Sequence, residues 1–108
     1  MNNQLDLFGP PAQGQAAFDE WKHTAHGREV CKNFIAKAYV LKKRGYDHYG
    51  ARALVEVIRW ETAMKHGPDE DGFKINNNFT PYLARHAEAR EPSLKGFFLK
   101  RTLKDEQS

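Results

Sequence analysis

Residues 27–66 read GREVCKNFIAKAYVLKKRGYDHYGARALVEVIRWETAMKH, two stretches of helical periodicity joined by a glycine-bounded connection. In the first stretch Val30, Cys31, Phe34, Ile35, Ala38 and Leu41 recur at three- and four-residue steps, which puts them on one face of a helix over 27–44. Lys42, Lys43 and Arg44 fill the last turn, where the helix dipole favours cations, and Gly45 suits the left-handed residue that stops a helix. Asp47 is placed to cap a second helix reaching about His66, with Ala51, Leu54, Val55 and Ile58 as its inward stripe and Thr62 continuing it. Lys65 and His66, then Gly67-Pro68, end it. Helix, short glycine-containing turn, helix is the layout of a helix-turn-helix unit. The stretch predicts a mainly α, small helical domain of helix-turn-helix or winged-helix-like character.

Working outward, Phe18 and Trp21 stand three apart and mark a short helix over 16–24. Before it, residues 1–14 predict a mobile arm, because Gly9-Pro10-Pro11 removes two backbone donors and lets no helix or central strand pass through. On the other side, Phe73-Lys74-Ile75 alternates apolar and polar like a short strand, and Asn76-Asn77-Asn78 should turn. Together they predict a short β wing near 73–79. Thr80-Pro81 signals the start of a further helix to about Arg90, with Thr80 as cap and Pro81 first in the helix. Pro92-Ser93 opens a last turn, and Gly96-Phe97-Phe98-Leu99 supplies apolar residues to pack back on the body. The expected organisation is an arm over 1–14, a basic helical domain over 15–104 and a disordered tail over 105–108.

A chain of 108 residues supports one domain, and 40% hydrophobic with 12% aromatic residues is enough for a small core. No apolar run has the length to span a bilayer, and the N-terminus is polar, so no membrane partner and a cytoplasmic location are expected. The single Cys31 cannot form an internal disulfide, which fits a reducing compartment. The net charge of +3 is unevenly spread. Residues 27–66 hold nine Lys/Arg against four acids, residues 73–104 seven against two, and Asp69-Glu70-Asp71 lies between them. Two basic segments suit a polyanion such as DNA or RNA. Ordinary solubilising charge is the alternative.

The N-terminal pentapeptide Gln4-Leu5-Asp6-Leu7-Phe8 resembles, at all five positions, the consensus by which bacterial polymerases, mismatch-repair proteins and clamp loaders dock on the β sliding clamp. The resemblance covers those residues alone and transfers no enzymatic activity. Its physics is that of a short peptide with few anchors, since ordering the rest costs entropy. Leu7 and Phe8 are adjacent anchors for an apolar pocket, Leu5 a smaller contact, Gln4 a donor and acceptor, and Asp6 a rim residue. An N-terminal strand with Leu5, Leu7 and Phe8 packed on the helices is the other reading. The implied partner is the bacterial β sliding clamp.

For the body, DNA is the expected partner. Lys42, Lys43 and Arg44 stand at the turn, and Arg52, Arg59 and Lys65 project from the following helix, with Glu56 diluting the face shared by Arg52 and Arg59. Lys74, Asn76, Asn77, Asn78 and Arg85 would extend the surface, lysine and arginine on phosphates, asparagine on bases or backbone. A helical bundle with a basic solvated face is the structural alternative. Arg59-Trp60, the segment 73–78 and Leu83-Ala84-Arg85 resemble small uncharacterised proteins of bacteriophages and prophages, which implies no activity. Trp60 reads as a packing residue before a base-stacking one.

No cofactor or metal site is expected. His23, His26 and Cys31 lack a fourth ligand in reach, with His48, His66 and His86 scattered; Asp69, Glu70 and Asp71 read as a solvated turn; and no glycine-rich phosphate loop occurs. Cys31 sits on an apolar face, and nothing supports an enzyme. The expectation is a clamp-binding accessory protein of DNA replication or repair. A phage-encoded inhibitor filling the clamp pocket and a winged-helix transcription regulator are the alternatives. Oligomeric state is left open.

Overall fold

The computed structural model describes residues 11–68 and 75–99, and the side chains of 14–68 and 75–98. Four helices make up most of it: α1 (Pro11–Lys22), α2 (Ala25–Lys43), α3 (Ala51–His66) and α4 (Thr80–Arg90). The mainly α class is as expected. A two-residue strand β1 (Tyr49–Gly50) pairs in parallel with β2 (Phe98–Leu99), Tyr49 opposite Phe98.

The central pair follows the apolar periodicity. Val30, Cys31, Phe34 and Ala38 of α2 are buried, as are Ala51, Leu54, Val55 and Ile58 of α3, while Ile35 and Leu41 are half-buried against them. Thr24 caps α2, its hydroxyl accepting from the Gly27 N–H at 2.9 Å and donating to the Trp21 carbonyl at 2.7 Å. At the other end Gly45 adopts φ of 105°. Its N–H donates to the Lys42 carbonyl, and the Tyr46 N–H reaches back to Leu41, a Schellman stop that satisfies the orphan carbonyls.

Four boundaries depart from the expectations. The first helix begins at Pro11 and takes in residues 11–14, because a proline in the first turn of a helix lacks only an N–H that has no partner there anyway. α3 begins at Ala51, with Gly50 and not Asp47 before it, because Tyr49 and Gly50 are drawn into extended pairing with β2. Thr80 is the first residue of α4 and Phe79 its cap. No wing forms at 75–79. Ile75 is buried, the Asn76 carboxamide accepts the Asn78 N–H, and Asn77–Phe79 coil into a 3-10 turn that runs straight into α4. Residues 73 and 74 of the expected wing, the arm up to residue 10 with its pentapeptide, the 69–71 acidic turn and the tail lie outside the described residues.

The core gathers all four helices and the C-terminal segment. Phe18 of α1 meets Phe79 edge-on at 5.5 Å and stacks on Tyr82 at 5.8 Å, while Trp21 lies 4.9 Å from Phe79. Phe97 and Phe98 are buried, Phe98 stacked on Phe34 at 5.2 Å, so the C-terminal segment does pack back on the body. Burying each such ring stabilises the fold by about 2–3 kcal/mol. No polar or charged side chain among the described residues is buried, so every hydrophilic candidate described keeps access to solvent. Among the described residues no helix is long and apolar enough to cross a membrane.

Candidate nucleic-acid interface

The β1–β2 pairing has a consequence beyond the core. It ties the start of α3 to the segment that follows α4, and a cleft of about 670 Å³ opens between α3 and α4. Gly50, Ala51 and Arg52 form one wall, Thr80, Pro81, Ala84, Arg85 and Glu88 the other, with Asn77 and Phe98 between. Gly50 offers no side chain to cap α3, so the first N–H groups of that helix lack side-chain satisfaction at the edge of the cleft. The walls alternate apolar carbon with guanidinium, amide and hydroxyl groups.

The two arginines are differently held. The Arg85 guanidinium lies over the Tyr82 ring, 5.1 Å from its centroid, and forms no ion pair among the described residues. Arg52 is exposed and only loosely paired, its Nε 4.0 Å from Glu56. Glu88, the one acid lining the cleft among the described residues, accepts the Gly96 N–H at 3.4 Å. The local balance is therefore cationic.

Of the residues singled out from the sequence, the structure brings Arg52, Asn77 and Arg85 to this cleft. Arg59 is not on the surface they form. It is half-buried, and its guanidinium donates to Glu56 at 2.8 Å, to the Ile75 carbonyl at 2.7 Å and to the Asn77 carboxamide, so it ties α3 to the segment before α4. Asn76 is engaged as a turn cap and Asn78 is exposed beside it. Lys65 borders a smaller pocket of about 160 Å³ between α2 and α3, shared with His26, Glu29, Glu61 and His66. Lys42, Lys43 and Arg44 are exposed at the end of α2, and Lys43 leans over the Tyr39 ring at 5.3 Å. Lys74 lies outside the described residues, as do Gln4, Leu5, Asp6, Leu7 and Phe8.

Two features escaped sequence reasoning. The cleft's small-residue lining at Gly50, Ala51, Pro81 and Ala84 depends on a contact between distant segments. Trp60 is the second. It does not pack in the core but is 64% exposed, in one stripe with Val57 and Met64. That stripe was legible, because an inward face of 51, 54, 55 and 58 leaves 57, 60 and 64 pointing away.

Titration separates structural from surface groups. Burial pushes the Cys31 thiol up to about 11, so it stays protonated and inert at neutral pH. Burial beside Phe18, reinforced by Lys22 and Arg90, lowers His86. The hydrogen bond from Lys37, then that from Asn33, hold the Glu61 carboxyl below its ordinary range. Among the described residues no three His, Cys, Asp or Glu side chains gather in a way that would hold a metal ion. Set against protein-family models, curated proteins and solved structures, the chain matches none.

Proposed function

We propose that the chain is an accessory protein of DNA replication or repair. It docks on the bacterial β sliding clamp through Gln4, Leu5, Asp6, Leu7 and Phe8, and its basic body contacts DNA. The observation that carries this reading is the five-residue match, with its adjacent Leu7 and Phe8 anchors joined to the body through Gly9-Pro10. The convergence of Arg52, Asn77 and Arg85 from three separate segments onto one cleft supports the DNA half. Neither contact need be strong: a clamp encircling DNA raises the local concentration of the body at that DNA, and two modest affinities combine.

Competition tests the docking half. The full chain should be retained on immobilised clamp and released by a synthetic Gln-Leu-Asp-Leu-Phe peptide; retention that the peptide cannot reduce contradicts the reading. A second reading, an inhibitor or adaptor whose body grips another protein, is favoured by the exposed Val57, Trp60 and Met64 stripe. It predicts salt-insensitive behaviour and no DNA affinity, whereas phosphate contacts weaken steeply with salt.

A further inference from the structure

The cleft is the wrong shape for the outside of a duplex. Double-stranded DNA presents convex rows of phosphates with its bases stacked inside, and proteins read it with elements that protrude into its grooves. Here the cationic groups line a concavity. Its lining is otherwise largely apolar, at Ala51, Pro81, Ala84 and Phe98, with Arg52 on the α3 side and Arg85 on the α4 side. Its volume, about 670 Å³, lies within the ~300–1,000 Å³ of pockets that enclose small organic ligands.

We propose that this cleft takes one unpaired nucleotide of a DNA strand, its phosphates on Arg52 and Arg85 and its base against the apolar lining. The proposal rests on the DNA reading above and sharpens it to single-stranded DNA. Charge complementarity selects the occupant. Arg85 is held over Tyr82 and forms no ion pair among the described residues, so its charge is available to a phosphate. A base supplies an apolar face for the apolar lining, and Asn77 and Thr80 offer it hydrogen-bonding groups. A duplex could fill the cleft only by unstacking a base, which costs a few kcal/mol, whereas a single strand has that face already exposed.

The experiment is fluorescence anisotropy with the full chain, a labelled oligothymidylate and a labelled duplex of the same length, at matched low salt. The single strand is expected to bind at least roughly tenfold more tightly. Gly50→Leu should abolish that preference. A Cβ at Gly50 meets nothing within 4 Å and its φ of −81° suits any residue, so the larger side chain fills space without displacing the fold. Arg85→Gln, at an exposed position, is the second variant and should weaken single-strand binding by roughly tenfold. Equal affinity for the two probes, or a preference that survives both substitutions, overturns the nucleotide pocket and leaves a general DNA-binding role standing. No binding of either probe overturns the DNA reading itself, and the pocket with it.

Discussion

Arg52 and Arg59 share a helix face in the sequence and part company in the fold. Arg59 is 27% exposed and donates to a carboxylate, a backbone carbonyl and a carboxamide, whereas Arg52 is 67% exposed with one loose partner. Charge-assisted hydrogen bonds contribute about 1.5–3 kcal/mol each when desolvated, and partial exposure lowers that. Arg59→Met should therefore cost about 1–2 kcal/mol in denaturant unfolding, since it leaves the Ile75 carbonyl without its donor. Arg52→Met, which removes the same charge, should leave the midpoint unchanged within error. Equal losses from both would mean that Arg59 is not the tie between α3 and the segment before α4.

At the scale of elements, the corner between α1 and α2 is set by a backbone contact. A Cβ at Gly27 would sit 1.9 Å from the Trp21 carbonyl oxygen, the same oxygen that accepts from the Thr24 hydroxyl. Gly27→Ala should lower the melting temperature despite alanine's better helix propensity, at a cost of about 1–3 kcal/mol. Gly50→Ala, with open space around the added atom, should be neutral or slightly stabilising. Elements written by local rules were legible in advance. The stripe through Val30, Phe34 and Ala38 and the stop at Lys42-Lys43-Arg44-Gly45 specify α2 from its own residues. What failed depends on partners far along the chain. Asp47 is a good cap by itself, but Tyr49 pairs with Phe98, and that pairing moves the start of α3 to Ala51. Phe73-Lys74-Ile75 alternates like a strand, yet Ile75 is buried in a helical core and the asparagines after it coil into α4. The cleft was invisible for the same reason. Arg52, Asn77 and Arg85 were each recognisable as binding types, while their convergence exists only once α3 and α4 pack together.

For the whole molecule, His86 and Glu61 tie stability to pH on the acid side, with Asp19 lowered alongside Glu61. His86 is held neutral by burial, so its folded pKa lies below the unfolded value of ~6.5. The folded state disfavours the added proton. That contribution is complete above about pH 6.5 and is lost as pH falls toward the folded pKa. Glu61, lowered by Lys37, acts in the same direction at lower pH: its stabilisation is present above about pH 4.3 and is lost as pH falls through its folded value. Unfolding followed across a pH series should show stability falling in two stages on acidification, and His86→Gln should remove the upper stage alone. A flat profile between about pH 7 and pH 5.5 would contradict the burial of His86. The proposed function divides at this scale between a peptide that would locate the protein and a body that would act there. Isothermal titration of the full chain into purified β clamp examines the docking half most directly. Leu7→Ala combined with Phe8→Ala should weaken binding by roughly a hundredfold, as loss of the main anchors of a short peptide does, while Arg85→Gln leaves the affinity unchanged. Equal clamp affinity in the wild type and the double variant, or no binding by either, would contradict it.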